Sequence, residues 1–247
     1  MSIGSEEELK ALQAIGRIVG QTLRELARAV RPGISTAELD ALGAKLLAAA
    51  GAQSAPPRVY GFPGALCISV NDEIVHGVPG ARQVAPGDLV KLDLTAEKNG
   101  YMADAAVSVA VPPAADLALR LAHCAQRAFD RAMREARARR RVCDIGAAVE
   151  TEVRRSGFSV VRELCGHGIG RAIHEPPQIL NYADTRRRER LTEGLVITVE
   201  PIITAGRGEA YLAPDGWTMK TTDRSLAAHY EHTLVITRGA PLLLTAT

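Results

Sequence analysis

The dipeptide Asn99-Gly100, set between long β-forming runs at Leu89–Glu97 and Tyr101–Val111, constrains this chain more than any other feature. Asn-Gly is a strong hairpin signal because a two-residue type I′ turn needs positive φ at both central residues. With these two as the turn, Lys98 faces Tyr101, the register is fixed, and Thr95 opposes Asp104. Side chains alternate faces along a strand, so Asp93 shares the face of Thr95 and is a diagonal neighbour of Asp104, about 7–8 Å away at the backbone. Two carboxylates thus converge among Val90, Leu92, Leu94, Ala105 and Val107. Buried charges of one sign are costly unless paired or bound to metal, and no lysine or arginine partner is evident nearby. A solvated edge hairpin is the competing reading.

The hairpin sits in a chain of 247 residues, 47% hydrophobic and 23% charged, a composition that excludes disorder, collagen-like repeats and a disulfide-dense miniature. Thirty basic against 28 acidic residues leave a formal charge of +2, too balanced to point to a nucleic-acid or membrane partner. The arginine runs Arg131–Arg141 and Arg186–Arg190 read as solvated faces rather than an RNA-binding patch. Cys67, Cys124, Cys143 and Cys165 are widely spaced, with no C-x-x-C pair, so reduced thiols are expected. An acidic opening and the lack of a long apolar run give the expectation of a cytoplasmic protein.

Apolar periodicity predicts a helix from Glu6 to about Val30, stopped by Pro32-Gly33, and a second from Thr36 through Ala50, with Ser35 or Thr36 as N-cap and Pro56-Pro57 breaking the pattern beyond it. Strands are expected at Leu66–Val70, Ile74–His76 and in the hairpin. Helices follow at about Ala115–Arg137 and Ile145–Ser156, then strands at Phe158–Val161, Leu195–Thr204 and His229–Thr237. This repeated order of two helices followed by strands is what a duplicated α+β unit would give. One domain over 1–247, with related halves at about 5–111 and 112–240, is expected.

The second half supplies further candidates. His167 lies in Cys165-Gly166-His167-Gly168-Ile169-Gly170, read as a loop whose glycines allow tight turns around an exposed imidazole. Glu200 follows the strongly β run Leu195–Val199, and Glu231 opens Thr233–Thr237, so both are acids in strands that otherwise read as buried. Asp93, Asp104, His167, Glu200 and Glu231 form an oxygen-rich set with one imidazole, suited to Mn²⁺, Fe²⁺, Co²⁺ or Zn²⁺. Such a set can hold two ions about 3.5–4 Å apart and acidify a water for attack on a carbonyl, which makes hydrolysis the natural reaction class.

The strings Ile74-Val75-His76-Gly77-Val78-Pro79, Asp93-Leu94-Thr95 with Asp104, Gly166-His167-Gly168-Ile169-Gly170-Arg171 with His174-Glu175, Val199-Glu200-Pro201 and Tyr230-Glu231-His232-Thr233 together resemble type I methionine aminopeptidases. The likeness covers nearly the whole chain, including Pro32-Gly33-Ile34-Ser35-Thr36-Ala37-Glu38-Leu39 near the start. It implies the pita-bread fold, α+β, with two pseudo-symmetric halves around a dinuclear metal site.

Carried over by residue, the resemblance implies that Asp93 chelates one ion, Asp104 and Glu231 bridge both, and His167 and Glu200 complete the other. The ions are expected among cobalt, manganese, iron, zinc and nickel. It further implies that a hydroxide held by the metals attacks the carbonyl of the N-terminal residue, and that Glu200 moves the proton to the leaving amine. His174 would hydrogen-bond the oxyanion, and His76 the scissile amide nitrogen. His123 reads as structural; His229 and His232 flank a ligand and receive no role.

The implied substrate pocket uses Tyr60, Phe62, Cys67, Ile173 and Trp217, with departures from the family pattern at Pro56, Val59 and Ile173. The expected activity is removal of N-terminal methionine before a small second residue, from peptides and nascent chains. The ribosome is a candidate place of encounter, and a monomer with no specific nucleic-acid partner is expected. The alternatives are an Xaa-Pro peptidase of the same fold, and a catalytically inactive binding module.

Overall fold

In the computed structural model, which describes residues 1–246, the first part of the chain runs α1 (Glu6–Ala29), α2 (Thr36–Ala49), β1 (Gln53–Ser54), α3 (Pro56–Tyr60), β2 (Cys67–Val70), β3 (Glu73–Val75), β4 (Leu89–Lys98) and β5 (Tyr101–Ala110). It continues with α4 (Asp116–Met133), α5 (Val142–Arg155), β6 (Ser159–Val160), β7 (Cys165–Gly168), β8 (Glu175–Leu180), β9 (Val196–Val199) and β10 (Ile202–Thr204). The last strands are β11 (Ala210–Leu212), β12 (Met219–Thr221), β13 (Ala227–His229), β14 (Glu231–Val235) and β15 (Leu242–Leu243). Thr247, the final residue of the expected unit, lies outside the described residues.

The hairpin forms in the register that its turn dictates. Asn99 and Gly100 have φ of 54° and 79°, and Lys98 pairs with Tyr101, Thr95 with Asp104 and Asp93 with Ala106. Alternation then sorts the two strands. Val90, Leu92, Leu94 and Ala96 of β4 and Ala103 and Ala105 of β5 face α1 and α2, where Ile15, Val19, Leu26, Leu39 and Leu47 complete a buried cluster. In the later part of the chain, α4 and α5 bury Leu121, Phe129, Ile145 and Val149 with Ile197, Val199 and Leu234 of β9 and β14. Helix α1 is amphipathic and capped by Ser5, which accepts the Glu8 N–H. Ser35 caps α2 in a reciprocal capping box with Glu38.

The strands form a nine-stranded sheet in the order β1-β4-β5-β14-β9-β7-β8, with β2 also beside β4 and β15 beside β14. Two three-stranded sheets, β13-β10-β6 and β11-β12-β3, flank it. The runs read as single strands at Leu195–Thr204 and His229–Thr237 are each divided between sheets: β9 and β14 belong to the large sheet, and β10 and β13 to a small one. The break falls at Glu200-Pro201 and at Tyr230, and Pro201 has no N–H to continue a ladder.

Other boundaries also differ from the sequence pattern. The Pro56-Pro57 pair ends the α2 pattern but also begins the single turn α3, because proline is tolerated in a first helical turn. Helix α4 stops at Met133, and α5 begins at Val142, three residues before the expected start, with Asp144 accepting from the backbone N–H of Arg141 at 3.0 Å. The arginine runs are partly engaged locally: Arg131 meets Glu152, Arg140 meets Glu135, and Arg186 meets Asp184. Among the described residues no helix is long and apolar enough to cross a membrane.

The largest departure concerns the segment around His167. It is strand β7, paired with β8 and β9, and not a loop. Its glycines serve close strand packing rather than turning: a Cβ on Gly166 would lie 2.6 Å from the Thr198 carbonyl oxygen and 3.2 Å from Ile179 Cβ. Gly166→Ala is therefore expected to lower the denaturant midpoint with little change in slope, at a cost of about 1–3 kcal/mol. An unchanged midpoint in equilibrium unfolding would show that the packing gives way freely.

Candidate metal centre

Sheet register alone brings the predicted ligands together. Asp93 pairs with Ala106, and Ala106 with Glu231. The pairs Val199–His232 and Ile202–His229 share one register across the break, so Glu231 stands opposite Glu200. Asp93, Glu231 and Glu200 therefore lie in one row across the sheet. Two residues along each strand is a second row: Thr95 pairs with Asp104, and Thr233 with Thr198, beside which lies His167. Side chains two apart share a face, so all five residues project from the side of the sheet opposite the helices.

The donor atoms are close. One atom each from Asp104, His167 and Glu231 lie within 4.8 Å of one another, as do atoms from Glu200, His229 and Glu231. Asp104, His167, Glu200 and Glu231 are buried, and Asp93 is partly so. His167 is therefore walled in, contrary to the exposed imidazole read from its glycine frame. At 4.8 Å and an effective dielectric of about 20, two negative charges repel by about 3 kcal/mol. Burial, reinforced by the neighbouring charges, pushes Asp93, Glu200 and Glu231 well above the ordinary carboxylate range, and burial raises Asp104.

The protein supplies little positive charge in return. The only cationic partners within ion-pair distance among the described residues are the imidazoles of His167 and His229, and burial pushes both away from protonation. Lys91 shares the face of Asp93 but turns its ammonium to the carbonyls of Asn71 (2.8 Å) and Leu89 (3.4 Å). Asp104 Oδ1 and Glu231 Oε1 are buried without any hydrogen-bond partner. Orphaned, like-charged oxygens beside neutral imidazole nitrogen are donors that a divalent cation satisfies, so these residues fit a metal.

Hydroxyls and carbonyls aim the donors. Thr95 Oγ1 donates to Asp104 Oδ2 at 2.7 Å, and Thr198 Oγ1 donates to Glu200 Oε1 at 2.9 Å. Thr198 Oγ1 also accepts the His167 backbone N–H at 3.0 Å. His167 Nδ1 lies 2.9 Å from the Gly168 carbonyl, which makes Nδ1 the donor and leaves the Nε2 lone pair toward Glu200, 3.6 Å away.

Around the carboxylates the cleft is walled by Pro56, Tyr60, Phe62, Cys67, Ile173 and Trp217, with His76 and His174 at its edge. Phe62 and Trp217 stack edge to face at 5.3 Å. His174 meets His167 at 4.3 Å between ring centroids, and Tyr60 Oη lies 2.6 Å from His174 Nδ1. His76 has a φ of 58°, an uncommon conformation for a residue with a side chain. Every residue expected at the site is thus in this cleft, and Pro56 and Ile173 form part of its apolar wall. Val59 is not in the wall; it is 47% exposed.

Residues 10–238 match the model of metallopeptidase family M24. The chain belongs to this family. Methionine aminopeptidase 2 of Bacillus subtilis is 42% identical over 247 residues, covering 99% of both chains. The crystal structure of methionine aminopeptidase from Thermotoga maritima superposes with a TM-score of 0.96 at 31% identity, over all of both chains. The prolidase from Pyrococcus furiosus shares the fold, with a TM-score of 0.80 at 23% identity over 99% of this chain and 65% of that one. This family architecture is the pita-bread fold, and M24 membership brings divalent metal use with it.

The raised carboxylates give a signed prediction. Their protonated forms stabilise the metal-free protein below the ordinary carboxylate pKa values, and that contribution is lost as pH climbs through the raised ones. Metal and protons compete for the same oxygens. The melting temperature of Co²⁺- or Mn²⁺-loaded protein minus that of chelator-treated protein should therefore widen from pH 5 to pH 8. Groups away from the centre cancel in this difference, and a gap independent of pH would contradict the assignment.

Proposed function

We propose that this protein is a methionine aminopeptidase, which hydrolytically removes N-terminal methionine and prefers a small second residue. The observation that carries this reading is the convergence of five metal-suited side chains in a cleft with an apolar wall and two exposed histidines. Relatives named methionine aminopeptidase that match over nearly their full length support it.

We assign two divalent ions, from cobalt, manganese, iron, zinc and nickel, to Asp93, Asp104, His167, Glu200 and Glu231. When bound, such ions polarise a carbonyl and lower the pKa of a water to near neutrality. Glu200, steadied by Thr198, accepts the proton of the attacking water and delivers it to the departing amine. Phe62, Cys67, Tyr60, Ile173 and Trp217 enclose the apolar side chain of the first residue. His76 contacts the amide nitrogen that becomes the leaving group.

His174 stabilises the developing oxyanion, and Tyr60 sets it up to do so. Burial raises the Tyr60 phenol, so it keeps its proton and donates it to His174 Nδ1. Desolvation, and then the nearby His167, hold His174 neutral. Its single remaining N–H is therefore on Nε2, available to the substrate oxygen.

The whole chain 1–247 is read as one unit of two related halves, at about 5–111 and 112–240, which the repeated element order supports. We further assign it to the cytoplasm as a monomer without a specific nucleic-acid partner, acting on N-terminal peptides of nascent chains, with the ribosome as the place of encounter.

A peptide panel tests the activity. Met-Gly-Met-Met should be cleaved after methionine, its N-acetylated form should resist, and Xaa-Pro substrates should be poor. Preference for Xaa-Pro bonds would make this a prolidase-like enzyme, and no hydrolysis with any divalent ion would make it a binding module. Asp104→Ala and Glu231→Ala should each abolish turnover and release metal, whereas His76→Ala should keep its metal and turn over slowly. Tyr60→Phe should lower kcat about fivefold, the worth of roughly one hydrogen bond, without changing metal content. An unchanged kcat would remove Tyr60 from the mechanism.

A further inference from the structure

His229 is a buried residue that the proposed site leaves unused. Its side chain is almost wholly enclosed, and neither Nδ1 nor Nε2 has a hydrogen-bond partner. Leaving a buried imidazole so unsatisfied works against folding unless something else meets its nitrogens. The strand geometry explains why it is there. His229 ends β13, and Glu231 begins β14 two residues later, so both side chains fall on the same face as the chain passes from one sheet to the other.

The distances discriminate between two uses of this imidazole. Its Nε2 lies 3.3 Å from Glu231 Oε2 and 3.9 Å from Glu200 Oε2. A charge-assisted hydrogen bond would be about 2.7–2.9 Å and well aligned, which neither contact is. Donors each about 2.0–2.2 Å from a shared tetrahedral ion stand roughly 3.3–3.6 Å apart, and the spread widens in other geometries. The Glu231 contact has that spacing, and Glu200, His229 and Glu231 each offer a donor within 4.8 Å of the others.

The backbone of His229 is held independently of its ring. Ser108 Oγ donates to the His229 carbonyl at 2.8 Å and accepts the His229 N–H at 2.9 Å, and β10 pairs with β13 on the other side. The imidazole is thus presented from a fixed support.

We infer that His229 is a sixth donor of the metal centre, offering Nε2 to an ion shared with Glu200 and Glu231. This rests on the metal assignment above and extends it. A second imidazole makes one position nitrogen-richer than the carboxylates alone would, which favours borderline ions such as Co²⁺, Fe²⁺, Ni²⁺ and Zn²⁺ over Mn²⁺.

The test uses the full chain and the metal alone. Co²⁺ and Mn²⁺ are titrated calorimetrically into chelator-stripped wild type and His229→Gln, and the Co²⁺ complexes are compared by visible absorption. The Kd of one Co²⁺ position should rise about tenfold or more in His229→Gln, with a changed d–d spectrum, while Mn²⁺ changes by less than about threefold. Should that variant not fold, the Co²⁺-loaded wild type still decides. Its proton NMR spectrum should show two hyperfine-shifted imidazole N–H signals, from His167 and His229. One such signal, or identical Co²⁺ affinity and spectrum in the variant, overturns the inference while leaving the five-residue centre standing. Failure of the wild type to bind Co²⁺ at all would overturn the centre itself.

Discussion

Mutual repulsion among four carboxylates on one face of a sheet is the constraint around which this molecule is built. Each pair of charges within 4.8 Å works against folding by about 3 kcal/mol, a large share of the 5–15 kcal/mol by which domains are stable. The fold tolerates this because the opposite face is apolar. Val90, Leu92 and Leu94 lie against the first helix pair, and Ile197, Val199 and Leu234 against the second. Cohesion on one side secures frustration on the other, and a divalent cation turns that frustration into affinity.

Precision at the centre comes from small polar groups rather than from the acids themselves. Three threonines in one cross-strand row fix the carboxylates and the strands that bear them: Thr95 on Asp104, Thr198 on Glu200 and on the backbone of His167, and Thr233, whose hydroxyl bonds the backbone of Asp104 at 2.7–2.8 Å. A backbone carbonyl likewise fixes which ring nitrogen of His167 carries the proton, and the Tyr60 phenol lies against Nδ1 of His174. The phenol lies on the exposed single-turn helix α3, so the cleft edge is shaped by a segment that the sheet does not contain.

Much of this was legible in the sequence, for identifiable reasons. Asn99-Gly100 fixes a register, and register carries Asp93 and Asp104 into place with no further information. The long helices were legible because their apolar stripes have a single period. The Gly-His-Gly segment was not, because glycine pattern alone cannot distinguish a turn from a strand pressed against a neighbouring carbonyl. Nor was the division of Leu195–Thr204 between two sheets, since each part keeps the same β-forming composition. His229 was visible only as a neighbour of Glu231. The signal that would have found it was present, an interval of two residues in an extended segment, but its force depends on knowing that the chain crosses a seam there.

The Ser108 clasp on the His229 backbone has a consequence for altering this protein. Because both peptide groups of that position are satisfied from outside, its side chain is not responsible for holding its own strand in place. The ring at position 229, buried beside Glu200 and Glu231, is thus carried on a strand that is anchored without it. A designer wishing to retune which ion this framework prefers therefore has an address at which to begin, one where the strand is gripped by Ser108 through its backbone alone.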